Sequence, residues 1–431
     1  MSFADRIANR EAGVAVIGLG YVGLPLAVRV AGVGLRTWGI DVNTERVDRI
    51  NKGISDIGDV ASATLAPLVE AGTLSAHTDF SVAAEADAVI ICVPTPLSKA
   101  RDPDISYIVK ALESLQPHLR EGQLFVLEST TYPGFTREVM VPMLEEGGLV
   151  AGETMHVAFS PERIDPGNET YGVRNTVKVA GGLTPTCNEM VAALYGTFID
   201  HVHLVSTPDT AEMVKLLENT FRAVNIGLVN EIAVMSAHLG LDVWEVIDAA
   251  ATKPFGFMPF YPGPGLGGHC IPIDPLYLSW RLRSMNYNAR FIELADTINT
   301  AMPEHIVTLA RDALNDHGKP TRGSRVLMLG VAYKRDIDDY RESPAIEIME
   351  LLEKKGAHVD FYDPHVERFR EGEVEHVGVA NLDELEGYDI AIITTNHTAF
   401  DYADICARAK LVLDTRNATR GISNRDNIRT L

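Results

Sequence analysis

Short apolar runs alternate with amphipathic stretches in the N-terminal half of the chain. Segments with apolar residues at helical spacing, such as 22–33, 105–119 and 185–198, separate these runs. Apolar runs of this length are typical of buried strands, and the segments between them are typical of surface helices. A repeated strand–helix–strand order predicts a parallel sheet with helices on both faces. The predicted strands are 14–17, 35–40, 88–93, 124–127, 156–159 and 177–180.

The pattern changes after residue 206. Residues 207–239 carry apolar positions at steps of one, three and four, which predicts one long helix. Thr207 and Pro208 suit its start, and Gly240 suits its end. Further helical sequence continues to about residue 314, interrupted by a Gly/Pro-rich segment. After a linker-like stretch, the alternation resumes at 325–329, 345–354, 358–362, 390–394 and 411–413.

The predicted fold class is α/β, with two Rossmann-like doubly wound parallel-sheet domains joined by a central helical domain that contains one long helix. A chain of 431 residues is long enough for two to three domains that each bury their own core. We place the domain boundaries at 1–206, 207–314 and 315–431.

Charge and cysteine content narrow the class of protein. Lys and Arg total 38 against 59 Asp and Glu, which gives a net charge of −21. A chain this acidic is repelled by nucleic-acid backbones and anionic lipid surfaces. Four widely spaced cysteines form neither a disulfide framework nor a CxxC zinc pair, and we predict no metal site. With no signal-peptide core and no long apolar run, we expect a cytoplasmic protein that binds neither nucleic acid nor membranes.

A glycine-rich motif, G-L-G-Y-V-G, follows the first predicted strand and precedes a helix. Gly18 permits the tight turn, Gly20 lets the backbone approach a pyrophosphate, and Gly23 lets helix and strand pack closely. Asp41 ends the next strand, where a carboxylate accepts hydrogen bonds from a ribose 2′-hydroxyl and repels a 2′-phosphate. The motif therefore predicts NAD rather than NADP. The alternative is a plain glycine turn with a solvated Asp41.

The segment at 263–275, G-P-G-L-G-G-H-C-I-P-I-D-P, is the second unusual feature. Pro272 and Pro275 suit the first turn of a helix that begins just beyond Cys270. A thiol at a helix N-terminus is more readily ionised and can act as a nucleophile. In the alternative reading, Cys270 is a buried packing residue. His269 could act as a base, or it could serve only in packing and hydrogen bonding.

Three further segments carry polar side chains that could serve the same chemistry. Lys215 and Asn219 lie four residues apart on the long helix, where they could stabilise an oxyanion or orient a water. A solvated helix face is the plainer alternative. The segments E-S-T-T-Y-P-G at 128–134 and S-P-E-R at 160–163 each follow a strand, at the edge where open α/β sheets bind ligands. The same residue types are also ordinary in turns and caps.

In combination, these motifs resemble those of the nucleotide-sugar 6-dehydrogenases, the UDP-glucose and GDP-mannose dehydrogenase group. The resemblance implies an NAD-dependent four-electron oxidation of a nucleotide sugar at C6, in which Cys270 forms a thiohemiacetal and then a thioester. It also implies a homodimer or higher homo-oligomer built on the central helix. The motifs extend over nearly the whole chain: G-L-G-Y-V-G-L-P at 18–25, P-T-P at 94–96, E-S-T at 128–130, S-P-E-R at 160–163, K-L-x-E-N at 215–219, G-G-H-C-I-P-x-D-P at 267–275 and Y-K-R-D-I-D-D-Y-R-E-S-P at 333–344.

The resemblance assigns roles to individual residues. It implies that the first domain binds NAD, the second forms the oligomer and the third binds the nucleotide sugar. The implied catalytic residues are Cys270, Lys215, Asn219, Asp274, Glu162 and Thr130. The residues implied to bind the cofactor are Gly18, Gly20, Tyr21, Val22, Gly23, Asp41, Arg46, Thr95, Ser129, Thr130 and Arg341. The residues implied to bind the nucleotide sugar are Glu162, Arg163, Lys215, Asn219, Phe260, Tyr261, Gly265, Gly267, Tyr333 and Lys334.

Two departures from the family pattern bear on the substrate. The UDP-glucose branch usually has Ser before the cysteine and Lys before the aspartate, whereas this chain has His269 and Ile273. With the segment at 253–261, these residues resemble the branch that oxidises UDP-N-acetylhexosamines, UDP-N-acetylglucosamine in particular. UDP-glucose, UDP-N-acetylmannosamine and another nucleotide sugar are alternative substrates. A two-electron 3-hydroxyacid-type dehydrogenase and a non-catalytic NAD sensor are alternative functions.

Overall fold

The computed structural model describes residues 2–98, 102–164, 170–268 and 270–431. The chain folds as two compact units. The first comprises Met1–Glu218 and Leu276–Tyr287, and the second comprises Asn219–Pro275 and Asn288–Leu431. The division into three domains at 1–206, 207–314 and 315–431 stays a prediction. Within the described ranges, no helix is both long and apolar enough to cross a membrane.

The first unit is built on an eight-stranded sheet. Its strands are β1 (Gly13–Ile17), β2 (Arg36–Ile40), β3 (Leu74–His77), β4 (Ala88–Ile91), β5 (Leu124–Leu127), β6 (His156–Phe159), β7 (Lys178–Gly182) and β8 (Val202–Val205). Their order across the sheet is β3-β2-β1-β4-β5-β6-β7-β8. All neighbours are parallel except β6 and β7, which are antiparallel. The order reverses between β1 and β4, and open α/β sheets bind ligands at the carboxyl ends of strands at such a point.

Helices cover this sheet, so its central strands are apolar and buried along their whole length. Three short segments, Phe80–Glu85, Gln116–His118 and Thr136–Met140, form 3₁₀ or π turns. The helices are α1 (Phe3–Ala8), α2 (Gly23–Gly32), α3 (Thr44–Asn51), α4 (Ser62–Glu70), α5 (Ser106–Leu115), α6 (Val141–Glu145) and α7 (Pro185–Tyr195).

The long helix α8 (Pro208–Leu239) starts in the first unit and continues into the second. The Thr207 hydroxyl caps its first turn by accepting the Thr210 N–H at 3.2 Å. Gly240, with φ of +69°, ends it in the left-handed conformation that favours glycine. The remaining helices are α9 (Val243–Ala251), α10 (Asp274–Arg283), α11 (Arg290–Asp316), α12 (Pro344–Lys354) and α13 (Tyr402–Arg408).

The second unit carries its own parallel sheet and a separate antiparallel hairpin. The strands are β9 (Arg325–Leu329), β10 (His358–Tyr362), β11 (Arg368–Glu371), β12 (Val374–Val377), β13 (Ile390–Ile393), β14 (Val412–Asp414) and β15 (Ile428–Thr430). The sheet order is β10-β9-β13-β14-β15, and β11 pairs with β12 in the hairpin. The order of this sheet reverses between β9 and β13, so it has a crevice of its own at that point.

The predicted fold class is confirmed, since both ends of the chain form doubly wound sheets around a helical middle. The predicted strands at 124–127, 156–159, 325–329 and 358–362 have the observed bounds. The sequence pattern missed β3, β8, β11, β12 and β15, which are short, and several of them have exposed positions that weaken the apolar signal. It also gave no sign that β7 runs antiparallel to β6.

Candidate active site

The loop between β1 and α2 has the geometry of a pyrophosphate cradle. Gly18 has φ of +87°, and its N–H donates to the carbonyl of Ile40 at 2.8 Å. Helix α2 follows directly, and its N-cap residue, Val22, makes no side-chain capping bond. The first N–H groups of α2 therefore have no side-chain cap at the end where a helix attracts phosphate.

The two other glycines of this loop serve different purposes. A Cβ on Gly23 would lie 1.8 Å from the Gly18 carbonyl oxygen, so the close contact of helix and loop requires glycine. A Cβ on Gly20 would meet no protein atom within 4 Å. The open space beside Gly20 is where a bound pyrophosphate approaches the backbone in a dinucleotide site, and the loop therefore fits NAD.

Asp41 lies at the carboxyl end of β2 and is buried. Its Oδ2 accepts the N–H of Leu19 at 2.8 Å, and its Oδ1 accepts the N–H of Asn43 at 2.9 Å. Arg46 approaches the same carboxylate at 3.4 Å. The structure thus places Asp41 against the glycine loop and Arg46 against Asp41, and both were predicted to bind the cofactor.

The segments after β4 and β5 contain the other cofactor residues predicted in this unit. The Ser129 hydroxyl donates to the carbonyl of Val93 at 2.8 Å, which joins the two strand exits. Thr130 follows Ser129 and is partly exposed. The carbonyl of Thr95 accepts the Tyr277 hydroxyl at 2.9 Å. Thr95, Ser129 and Thr130 therefore lie at the strand ends near the reversal of the sheet order.

A buried ionic cluster occupies the carboxyl ends of β5 and β6. Lys178, the first residue of β7, donates to Glu128 at 2.8 Å and to Glu162 at 3.3 Å. The Lys215 ammonium donates to the main-chain carbonyl of Glu162 at 2.7 Å, so two of the predicted catalytic residues are in contact. Burial by itself raises the pKa of Glu162, but Lys178 and nearby backbone N–H groups outweigh burial and lower the pKa.

Arg163 pairs with a carboxylate on α8. Its Nη2 donates to Glu218 Oε1 at 2.7 Å and its Nε donates to Glu218 Oε2 at 3.3 Å. This two-pronged contact fixes the S-P-E-R segment against the helix that carries Lys215. The segment continues into Asp165 and Pro166, which lie outside the described residues.

The second unit contains the cysteine loop. The carbonyl of Cys270 accepts the N–H groups of Ile273 at 3.1 Å and Asp274 at 2.8 Å, which forms the turn that leads into α10. Helix α10 begins at Asp274, four residues beyond Cys270, so Pro275 lies in its first turn and Pro272 lies in the turn before it. Cys270 is partly exposed, unlike Cys92, Cys187 and Cys406, which are buried. His269 lies outside the described residues.

Glycines let this loop pack tightly against Tyr333. A Cβ on Gly267 would lie 2.5 Å from the Cβ of Tyr333, and one on Gly268 would lie 2.8 Å from its ring. Gly265, with φ of +138°, adopts a backbone conformation that favours glycine. The loop therefore lies directly on the segment after β9 that contains Tyr333 and Lys334.

Two polar contacts surround the cysteine loop. The Asn219 amide donates to Asp274 at 2.6 Å, and both side chains are buried. The carbonyl of Arg341 accepts the N–H of Gly268 at 3.1 Å. Hydrogen bonds to Asp339 raise the pKa of Arg341, and the nearby Tyr333 and Cys270 act in the same direction. Cys270, Asn219, Asp274, Tyr333 and Arg341 thus belong to one neighbourhood of the second unit.

A cavity of about 310 Å³ lies in the second unit at the ends of β13 and β14. Tyr261 stacks on Trp244 with ring centroids 6.1 Å apart, and the neighbouring Phe260 meets Phe221 edge to face. Burial lowers the pKa of Arg416 to about 10, although Asp414 acts in the opposite direction. An arginine that is partly buried beside a cavity favours an anionic ligand, which supplies compensating charge. The cavity is lined by Trp244, Tyr261, Pro262, Asn396, Arg416, Asn417 and Arg420.

Sequence reasoning missed several residues of these sites. Arg416 follows a short strand within D-T-R-N, and its position at a strand exit was the signal that could have identified it. Lys178 stands inside an ordinary apolar run and gave no such signal. Glu212, fully buried on α8, accepts the N–H groups of Gly134 at 2.6 Å and Thr136 at 2.8 Å. It thereby ties the segment after Thr130 to the helix of Lys215.

One group of side chains has the chemistry of metal ligands. Ligand atoms of Asp336, His365 and His397 lie within 4.8 Å of one another. However, Nδ1 of His397 accepts the N–H of Asp336 at 3.0 Å, and Nε2 lies 3.1 Å from Asp363. Because both ring nitrogens are engaged, His397 serves to support the loop after β9.

The fold and the glycine loop define an NAD-dependent oxidoreductase. Three sequence profiles match the chain: the NAD binding domain of the UDP-glucose/GDP-mannose dehydrogenase family at residues 12–199, its central domain at 209–301 and its UDP binding domain at 327–421. The chain therefore belongs to the UDP-glucose/GDP-mannose dehydrogenase family, whose members are nucleotide-sugar dehydrogenases.

Relatives cover nearly the whole chain. A UDP-N-acetyl-D-mannosamine dehydrogenase of Methanococcus maripaludis is 35% identical over 420 residues, which are 94% of this chain and 92% of the relative. A UDP-N-acetyl-D-glucosamine 6-dehydrogenase of Pseudomonas aeruginosa is 36% identical over 396 residues, 91% of this chain and 92% of the relative. The solved UDP-D-ManNAc dehydrogenase of Pyrococcus horikoshii matches with a TM-score of 0.88 and 33% identity, covering 97% of this chain and 98% of that one.

The same substitution should affect different properties at Gly20 and Gly23: NAD binding at the first and stability at the second. Gly20→Ala should change the free energy of unfolding by less than about 0.5 kcal/mol but raise the Kd for NAD at least about tenfold, because the new Cβ enters the pyrophosphate space. Gly23→Ala should lower the free energy of unfolding by about 2–4 kcal/mol, because its Cβ overlaps a carbonyl oxygen. Urea unfolding measures the free energy of unfolding of each variant, and calorimetric titration measures its Kd for NAD. Wild-type NAD affinity in Gly20→Ala would contradict the placement of the pyrophosphate.

Proposed function

We propose that the protein oxidises a UDP-N-acetylhexosamine at C6 from alcohol to carboxylate, with Cys270 as the covalent nucleophile. The observation that carries this proposal is the partly exposed Cys270 in a glycine loop that packs on Tyr333, inside a chain that belongs to the nucleotide-sugar dehydrogenase family. NAD, when bound, accepts one hydride in each of the two oxidation steps.

In the first oxidation, the C6 hydroxyl loses a proton and C6 loses a hydride, which gives an aldehyde. Lys215 and Asn219 are the proposed groups at the C6 oxygen, where an ammonium and an amide N–H stabilise negative charge. The Asn219 amide is oriented by its bond to Asp274, and the Lys215 ammonium by its bond to the Glu162 carbonyl. Both donors are thus held in place before the substrate binds.

In the second oxidation, the Cys270 thiolate adds to the aldehyde carbon, and the carbonyl oxygen takes up a proton. The resulting thiohemiacetal carries both a hydroxyl and a hydrogen on a tetrahedral C6, so a second hydride and the hydroxyl proton can leave to give a thioester. Water then attacks the thioester, the C–S bond breaks, and Cys270 leaves as a thiolate. Glu162 and Thr130 are the proposed residues that position this water, assisted by Asp274.

The nucleotide is the proposed ligand of the second unit. Its cavity lies at the carboxyl ends of β13 and β14, next to the reversal of the strand order, and contains Arg416 and the stacked Tyr261. An arginine recognises a diphosphate through several N–H groups, and an aromatic ring offers a stacking surface for a base. Lys334, directly after Tyr333, is a second proposed cation for the phosphates.

UDP-N-acetylglucosamine is the proposed hexose nucleotide, on the basis of Ile273 and the segment at 253–261. UDP-N-acetylmannosamine is the second candidate, because relatives with that name align over 94% of this chain. The pairing of two chains through α8 also stays a prediction. It agrees with the exposed apolar side chains on that helix, which are Met213, Leu217, Phe221, Leu228, Met235 and Leu239.

The covalent mechanism predicts two NADH formed per nucleotide sugar consumed. Cys270→Ser should lower the rate of acid formation by about three orders of magnitude, because the thioester cannot form. Cys406→Ala, which alters a buried cysteine of the same unit, is the matched control and should retain the stoichiometry. Absorbance measures the NADH formed, and chromatography measures the nucleotide sugar consumed and the acid produced. A yield of one NADH per sugar, or full activity of Cys270→Ser, would show that the mechanism is wrong.

The substrate assignment predicts a ranking of kcat/KM across nucleotide sugars. UDP-N-acetylglucosamine should exceed UDP-glucose by at least about tenfold, because a site built to hydrogen-bond an N-acetyl group discriminates against a sugar that lacks it. NADH formation with a panel of nucleotide sugars measures the ranking. Preference for UDP-N-acetylmannosamine would select the second candidate, and preference for UDP-glucose would exclude both.

The cavity predicts that Arg416→Gln raises the KM for the nucleotide sugar by roughly 10- to 100-fold, because the loss of charged hydrogen bonds to phosphate costs about 1.5–3 kcal/mol. The KM for NAD should not change. The control is Arg429→Gln, which removes an exposed arginine paired with Asp316. An equal effect of Arg416→Gln on both KM values would place the residue outside the nucleotide site.

A further inference from the structure

Glu162 is held by a lysine that none of the sequence motifs contains. The Lys178 ammonium lies 3.3 Å from Glu162 and 2.8 Å from Glu128, and the Lys178 side chain is only 7% exposed. We propose that Lys178 is a positioning residue, which keeps the Glu162 carboxylate ionised and oriented for the water that hydrolyses the thioester. This inference rests on the proposed role of Glu162.

The reversed direction of β7 explains how a lysine reaches this position. Parallel strands deliver their carboxyl ends to the ligand-binding edge of a sheet, and here β5 and β6 deliver Glu128 and Glu162. Since β7 is antiparallel to β6, with Phe159 opposite Gly181, its amino end lies at that same edge. The Ser160 hydroxyl donates to the Val179 carbonyl at 2.7 Å and continues the contact. Lys178, at the start of β7, therefore meets both carboxylates.

The bonds to Glu162 fix its orientation and leave room for one more donor. Oε1 accepts the N–H groups of Arg163 at 2.7 Å and Ile164 at 2.6 Å, and Oε2 accepts Lys178. An ionised carboxylate has about four acceptor positions. The described residues fill three of them. The fourth position can accept a hydrogen bond from a water.

Glu128 shares the same lysine with Glu162. Its side chain is fully buried, and its Oε1 accepts the hydroxyl of Tyr195. Burial raises the pKa of Glu128 despite Lys178, while the pKa of Glu162 is lowered. Without the lysine, both carboxylates would lose the cation that most lowers their pKa values, so the pKa of Glu162 would rise.

Other charged and titratable groups also surround Glu162. Lys215 on α8 contacts its main-chain carbonyl, and Arg163 is itself paired with Glu218 on the same helix. Neither cation takes the place of Lys178 at the Glu162 carboxylate. Lys215 is bonded to the main-chain carbonyl, and Arg163 is bonded to the Glu218 carboxylate. The described groups near the carboxylate pair, including those behind Glu128, are Lys178, Lys215, Arg163, Glu218, Tyr195 and Cys92.

The test is the pH profile of kcat between pH 3.5 and 9 for four proteins: wild type, Lys178→Arg, Lys178→Met and the double variant Lys178→Met/Glu128→Gln. Lys178→Met should raise the midpoint of the acid limb by at least about one pH unit, whereas Lys178→Arg should keep it within about half a unit. The double variant has one buried carboxylate instead of two. Its midpoint should lie at or below that of Lys178→Met.

If Lys178 had only a structural role, the double variant would be less active than Lys178→Met. The acid limb of the pH profile would not move in either variant. That result would overturn the inference, and so would an unshifted limb in Lys178→Met. Lys110→Met, on the exposed side of α5, is the control for loss of a surface charge. Far-UV circular dichroism checks the fold of each variant.

If Lys178→Met does not fold, Glu128→Gln decides the question alone. It removes the competing carboxylate while Lys178 remains, so the acid-limb midpoint should stay at or below that of the wild type, and a higher midpoint would overturn the inference. The proposed function is judged separately, on the wild-type protein. Two NADH per sugar combined with an unmoved limb would reject only the role of Lys178, whereas one NADH or none would reject the covalent mechanism itself.

Discussion

In each of the two parallel sheets, the loop after the first strand in chain order, β1 or β9, is held by a carboxylate. This carboxylate directly follows the second strand in chain order, β2 or β10. In the first unit, Gly18 donates to Ile40, and Asp41 accepts the next N–H of the loop, that of Leu19. In the second unit, Gly330 donates to Tyr362, and Asp363 accepts the N–H groups of Val331 and Ala332. Gly18 and Gly330 have nearly the same φ, +87° and +88°. These bonds satisfy backbone N–H groups that would otherwise be buried without partners at the ligand-binding edge.

The two carboxylates differ in the number of hydrogen-bond acceptor positions that remain unfilled. Among the described residues, Asp41 accepts three donors, and an ionised carboxylate has about four acceptor positions, so a ribose hydroxyl can still bind. Asp363 accepts four backbone N–H groups and the ring of His397. It is saturated, and this saturation lowers its pKa to about 2 in spite of its burial. Asp363 is therefore purely a support, and only in the first sheet does the corresponding carboxylate keep an acceptor position for a further donor.

The sequence predicted the features that depend on local pattern. Buried central strands are continuous apolar runs, and the structure requires glycine at positions 18 and 23 for conformational and steric reasons, so both features could be predicted from the sequence alone. The direction of β7 could not be found this way, because an apolar run buried on both faces looks the same in either direction. The role of Lys178 depends on that direction. Arg416 and Glu212 likewise act through contacts with segments far away in the sequence.

The acidity of the chain determines how its anionic ligands can be bound. A net charge of −21 repels phosphates at long range, but this repulsion is screened beyond a Debye length of about 8 Å at physiological salt. Binding must therefore come from groups in direct contact with the ligand. The first unit offers backbone N–H groups at the start of α2, which carry no net charge and need no counterion. In the second sheet no helix directly follows β9, since α12 begins only at Pro344, and the cationic side chains in that region include Lys334 and Arg416. The two units thus offer an anion different groups, and the difference follows from how soon a helix follows the first strand of each sheet.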